Sequence, residues 1–184
     1  MAAKSVYYLP GYGGQLATGL GAELPRRGYD VTGRETTGDF KRLWFPDQLA
    51  LIAQDLQADF WREDACVVAN SFGAYLFLHT QAQMEPFPGW VLLLSPIVGE
   101  FEDTENARNF SPPRADVLGK LAAAGKMPMP RHCEVHVGSD DWQSNPDNVK
   151  RLFEPLDIPG HVVPGNGHML DKAYVSGVLD RWLL

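Results

Sequence analysis

Short apolar runs alternate with longer amphipathic segments along most of this chain, and few folds accommodate that order. The apolar runs have strand length, and the segments between them are long enough to cross back over a sheet. That pattern predicts a parallel sheet with crossover helices. Val6–Leu9 reads as a strand, and Gly14–Arg27 as a helix with Leu16, Leu20 and Leu24 on one face. Gly28–Val31 leads into a second, weaker strand. Pro46–Phe60 is the clearest helix, with Leu49, Ile52, Ala53, Leu56 and Phe60 at helical spacing. Ala65–Ala69, Val91–Leu94, Glu134–Val137 and His161–Val163 read as buried strands. Phe72–Met84 and Leu170–Leu184 read as helices. The expected architecture is α/β: a doubly wound, mostly parallel sheet of about six strands, with helices on both faces.

Residues 96–130 interrupt the alternation. They hold Glu100, Glu102, Asp103 and Glu105, then Ser111-Pro112-Pro113, then a short helix candidate around Val117–Ala124. Irregular excursions of this length are commonly functional, and this one reads as a short lid or rim within a single domain spanning 1–184. An apolar content of 45% with 21% charged residues excludes a disordered chain. A net charge of -7 argues against nucleic acid as a partner, since such binders draw their affinity from clustered Lys and Arg. Apolar stretches such as Trp90–Leu94 fall far short of the roughly 20 residues of a membrane span. The first ten residues lack an apolar core of signal-peptide length. Cys66 and Cys133 read as buried free thiols. These features together lead to a cytoplasmic expectation.

The sharpest local signal is Val67-Val68-Ala69-Asn70-Ser71-Phe72-Gly73: an apolar strand, small-x-Ser-x-Gly, then at once an apolar helix. A nucleophilic Ser on so tight a strand-to-helix turn requires small residues two positions to either side. Ala69 and Gly73 supply them. Ser71 is also a favourable helix N-cap, so the pattern alone leaves both readings open.

The first strand runs into Pro10-Gly11-Tyr12-Gly13-Gly14. As a dinucleotide fingerprint this fails at its third glycine, where Leu16 stands, and the nearest acidic partner, Glu35, follows no clear strand. As an oxyanion loop it aims the Tyr12 N–H, together with the Phe72 N–H at the elbow, toward a reacting carbonyl oxygen. An ordinary glycine turn is the third reading.

A serine hydroxyl needs a base, and the base an orienting acid. Both follow later strands: Gly138-Ser139-Asp140-Asp141-Trp142 and Pro164-Gly165-Asn166-Gly167-His168-Met169. Strands of a parallel sheet end on one edge, so Ser71, Asp141 and His168 can meet there. Asp141 is preferred for the acid, with Asp140 as the alternative and Glu100 and Asp103 in reserve. Either aspartate also suits the cap of the helix beginning near Pro146. Gly11, Tyr12, Trp142 and Met169 are the expected substrate contacts. His79 reads as packed or exposed, and His161 shows no partner. His132 and His136 flank Cys133 without a fourth ligand near, so no metal is expected.

Pro-Gly-Tyr-Gly-Gly after the first strand, Asn70-Ser71-Phe72-Gly73 at the elbow, then Gly-Ser-Asp-Asp and Gly-Asn-Gly-His, in that order, resemble the α/β-hydrolase superfamily. The match is nearest to its small, capless, single-domain serine hydrolases of esterase type. The resemblance implies a minimal α/β-hydrolase fold and carboxylesterase-like cleavage of a small ester or thioester through an acyl-enzyme. It implies Ser71 as nucleophile, His168 as base and Asp141 as acid. Tyr12 and Phe72 become the oxyanion donors, and no cofactor is needed. Pro10 stands where the family usually has His, and Ala69 where it usually has Gly. The rival expectation is a catalytically silent binding protein on the same scaffold, for a small molecule or a protein partner; the protein partner is unknown.

Overall fold

Side chains of a strand alternate between the two faces of its sheet, and the apolar residues here fill both faces. The computed structural model describes residues 4–183. In chain order its elements are β1 (Ser5–Leu9), α1 (Leu20–Arg26), β2 (Asp30–Gly33), α2 (Gly38–Arg42) and α3 (Phe45–Asp55). There follow β3 (Cys66–Asn70), α4 (Phe72–Gln81), β4 (Trp90–Leu94), β5 (Phe101–Asp103), β6 (Arg108–Phe110) and α5 (Val117–Ala123). The chain ends with β7 (His132–Gly138), α6 (Pro146–Phe153), β8 (Gly160–Val163) and α7 (Lys172–Trp182). Six strands form one sheet in the order β2-β1-β3-β4-β7-β8, and every neighbouring pair in it is parallel.

One face carries Tyr7, Leu9, Val67, Ala69, Val91, Leu93, Val135 and Val137, covered by buried residues of α3, α4, α5 and α6. The other carries Val6, Tyr8, Val68, Leu92 and Leu94, covered by Leu24 of α1 and by Val178, Leu179 and Trp182 of α7. The sheet is therefore doubly wound. The order reverses between β1 and β3, and at such a switch point the loops after the two strands part and leave a crevice. No helix among the described residues is long and apolar enough to cross a membrane.

Several boundaries differ from the sequence reading, each for a physical reason. Helix α1 begins at Leu20, six residues later than the leucine spacing suggested, because Gly13 and Gly19 adopt positive φ and Glu35 accepts from the Leu16 amide at 3.0 Å. The predicted Pro46–Phe60 helix continues past Asp55 only as a π turn over Leu56–Phe60. The excursion at 96–130 contains an antiparallel pair, β5 and β6, in which Phe101 and Phe110 are partners in register. These strands are three residues each, too short to leave a periodic signal. The predicted end of the last helix, Leu184, lies outside the described residues.

Helix α4 is buried from Gly73 to Gln81, which places His79 in the core. Its ring packs edge-on against Tyr75 at 4.4 Å and Phe45 at 5.1 Å, and its Nε2 has no hydrogen-bond partner among the described residues. Burial, with Arg114 adding to it, lowers the His79 pKa from 6.5 to about 4. In the unfolded chain the imidazole takes its proton near 6.5, so between these values the unfolded state binds more protons. This contribution to stability is whole above about pH 6.5 and declines as the pH falls toward 4. His79→Leu is expected to flatten that decline by up to about 1.4 kcal/mol per pH unit. Thermal melts across this range provide the check; a variant that loses stability in acid as steeply as the parent would contradict it.

Candidate active site

The turn between β3 and α4 is held at Ser71 with φ 52° and ψ -120°, a conformation rarely adopted by a residue with a side chain. Three backbone hydrogen bonds fix it. The Ser71 N–H donates to Leu94 O at 3.0 Å, and Ser71 O accepts from Tyr75 at 3.2 Å and Ile97 at 3.2 Å. Gly73 is required by the sharpness of the turn, since a Cβ there would lie 2.1 Å from Leu9 O and 2.4 Å from Pro10 O. Ala69, two residues before Ser71, is fully buried.

Ser71 occupies the N-cap position of α4, but its side chain makes no cap hydrogen bond. Its Oγ instead lies 2.8 Å from His168 Nε2. His168 Nδ1 lies 2.9 Å from Asp141 Oδ2 and 3.0 Å from Oδ1. The Asp141 side chain is fully buried, and Oδ1 also accepts from the backbone N–H groups of Gln143 at 2.9 Å and Ser144 at 2.8 Å. Those two backbone donors fix the orientation of the buried carboxylate toward His168. With Nδ1–H directed at Asp141, Nε2 presents its lone pair to the Ser71 hydroxyl.

The loop carrying His168 is built onto the end of β7. Gly165 donates its N–H to Ser139 Oγ at 2.9 Å, and Asp140 donates its N–H to Asn166 O at 2.8 Å. Only glycine fits at 138, where a Cβ would lie 2.1 Å from Asn166 O. Asn166 Oδ1 accepts from Asp171 N at 2.7 Å, tying the loop to the start of α7. Asp140 is exposed, and its carboxylate accepts from Ser139 Oγ at 2.9 Å. Neither aspartate caps α6; Asn145 does, accepting from Asp147 N at 3.0 Å and Asn148 N at 3.2 Å. Glu100 accepts from Ser111 and Asp103 from Asn106.

Gly11 packs against the serine: a Cβ at Gly11 would lie 3.1 Å from Ser71 Cβ and 3.5 Å from its Oγ. The following residue, Tyr12, turns its ring edge-on to Phe72 at 5.8 Å, with Lys41 Nζ 4.1 Å above it. The Phe72 N–H belongs to the first turn of α4, where amides have no acceptor within the helix. Thr36 organises the glycine loop, though nothing in its sequence context marks it. Its hydroxyl donates to Gly11 O and accepts from Gly14 N, while its backbone pairs with Gly13 and Gly14.

A cavity of about 300 Å³ opens beside these residues, lined by Tyr12, Phe72, Leu43, Phe45, Pro112 and Pro113 among others. The Tyr75 hydroxyl donates to Pro113 O at 2.7 Å and so anchors the excursion over α4. Of the expected substrate contacts, Tyr12 lines this cavity and Gly11 backs the serine. Trp142 instead packs against the hairpin, 5.9 Å from Phe101 and 6.1 Å from Phe110, and Met169 is 86% exposed. A larger hollow of about 620 Å³ lies between α6 and β8; Ser71, Asp141 and His168 line neither hollow, and the smaller one reaches the elbow through Tyr12 and Phe72.

No protein-family model matches the chain. No curated protein matches it either. Solved structures do. The ydeN gene product of B. subtilis superposes with a TM-score of 0.67 at 18% identity, over 97% of this chain and 98% of that one. MGS-MChE2, an α/β hydrolase enzyme from a lagoon-sediment metagenome, matches with a TM-score of 0.64 at 13% identity, over 98% and 90%. The monoacylglycerol lipase of Paleococcus ferrophilus matches with a TM-score of 0.62 at 12% identity, over 97% and 93%. The parallel sheet, its strand order and these superpositions over nearly the full length identify the chain as having the α/β-hydrolase fold.

Proposed function

We propose that this chain is a serine hydrolase that cleaves a small carboxylic ester or thioester. The observation that carries the reading is the continuous line of contacts from Ser71 Oγ through the His168 ring to the buried Asp141 carboxylate, 2.8 Å and 2.9 Å long. His168 Nε2 takes the Ser71 proton as Oγ attacks the substrate carbonyl. Asp141 keeps the imidazole in the required tautomer and stabilises the imidazolium that forms. The negative charge developing on the carbonyl oxygen is met by the Tyr12 and Phe72 N–H groups and the N-terminus of α4. His168 returns its proton to the leaving oxygen or sulfur, leaving an acyl-Ser71. Water then enters, gives a proton to His168 as it attacks the acyl carbonyl, and the acid is released as His168 returns that proton to Ser71 Oγ. The names of the structural neighbours, which include carboxylesterases and a monoacylglycerol lipase, agree with ester chemistry.

The cavity beside Tyr12 and Phe72 is apolar on Leu43, Phe45, Pro112 and Pro113, and its volume suits a short acyl chain. The parent is therefore expected to hydrolyse p-nitrophenyl acetate and butyrate far faster than the dodecanoate. Ser71→Ala should fold normally by circular dichroism. It should also lose ester hydrolysis by about 10⁶-fold and fail to react with a fluorophosphonate probe. Unchanged turnover or labelling in that variant would remove Ser71 from the chemistry. Asp141→Asn should reduce kcat by about 10³–10⁴-fold through the wrong imidazole tautomer. Asp140→Asn should leave kcat within a small factor of the parent, and the reverse ranking would transfer the acid role to Asp140.

A further inference from the structure

On the α7 side of the sheet's β8 edge, three side chains with metal-ligating atoms face one another. Glu134 and His136 lie two apart on β7 and so share a face, and the parallel register sets His161 of β8 beside His136. One ligand atom from each of Glu134, His136 and His161 lies within 4.8 Å of the other two. His136 is fully buried, and its Nε2 lies 2.9 Å from Glu134 Oε1 with no well-aligned hydrogen-bond partner among the described residues. His161 Nε2 approaches the same oxygen to 3.1 Å. The other nitrogen of His136, Nδ1, lies 2.7 Å from the Tyr174 hydroxyl on α7. With Nδ1–H donated to that hydroxyl, Nε2 carries a lone pair free to bind a cation, while Arg181 and Trp182 hold the Glu134 carboxylate.

We propose that Glu134, His136 and His161 form a binding site for a divalent ion of the zinc type. Two imidazoles and a carboxylate are the donor set that zinc takes with three protein ligands, leaving one position to water. Ligand atoms about 2.0–2.1 Å from a tetrahedral ion are about 3.3 Å apart, close to the two separations found here. Tyr174 acts as the outer partner that fixes the His136 tautomer. Two adjustments accompany loading. The His161 ring, stacked on His136 at 4.6 Å and 13°, must tilt so that both lone pairs meet one ion; on the exposed edge strand its side chain is 46% accessible. Arg181, whose Nη2 lies 2.5 Å from Glu134 Oε1, must swing away, and its side chain is 56% accessible. Arg181 thus supplies the positive charge that the ion replaces. The ion would pin β8 to β7 directly beneath the loop that delivers His168, a structural role independent of the ester chemistry.

The test is calorimetric titration of the untagged, chelator-stripped full chain with zinc chloride, alongside thermal melts with zinc or magnesium. One equivalent of zinc should bind and raise the melting temperature, whereas magnesium should do neither. His161→Ala, at an exposed position, should weaken zinc binding about 10-fold or more, and Glu134→Gln should do likewise. Arg181→Gln should bind zinc at least as tightly as the parent. His132→Ala and His168→Asn should leave the affinity unchanged. No zinc uptake would overturn the proposal. So would uptake that survives His161→Ala, or uptake that is lost with His168→Asn, which would place the ion at the Ser71 site instead.

Discussion

The turn at Ser71 sets the geometry on which the whole C-terminal edge of the sheet depends. A left-handed φ at a residue with a side chain costs about 1–3 kcal/mol. The turn is held by backbone bonds to Leu94, Tyr75 and Ile97, so it is tied to β4 as well as to its own helix. The helix that follows is buried along nearly its whole length, with Leu76, Phe77 and Leu78 fully inaccessible. Burying one such side chain contributes about 1.5–3 kcal/mol, so the packing of α4 outweighs the strain several times over. The strain persists because relieving it would pull α4 out of the core.

Close backbone approach is the second half of the same constraint. The loop after β1 passes so near the elbow that Gly73 meets the carbonyls of Leu9 and Pro10, and Gly11 meets Ser71 itself. Thr36, arriving from the far side of β2, fastens that loop. Tyr12 of that loop and Phe72 of the elbow both line the cavity bounded by Pro112 and Pro113. On the other side, Gly138 lets the His168 loop close over the end of β7, which brings the imidazole within reach of both Asp141 and Ser71.

Much of this was legible in residue order, because it rests on local patterns. The strand-helix alternation follows from apolar spacing. The elbow follows from the steric demand for small residues around Ser71, and the candidate acid and base stand after later strands. The excursion at 96–130 was visible only as an irregularity, since the three-residue strands β5 and β6 are too short to show a period. The leucine spacing of Gly14–Arg27 overstates α1, because it continues through a glycine loop held by Thr36 and Glu35, about 20 positions further along the chain.

The sequence alone determined the doubly wound α/β plan and a short list of chemically capable side chains, since periodicity and turn chemistry are properties of neighbouring residues. Tertiary structure decided which of them meet. Asp141 turns inward to His168 while Asp140 faces solvent, a choice made by the backbone turn after Gly138. His161, without a partner along the chain, stands beside His136 through strand register. Trp142 lies against the hairpin and away from the cavity lining. Register and turn direction are settled by many weak contacts summed across the sheet, and no short stretch of residues carries that sum.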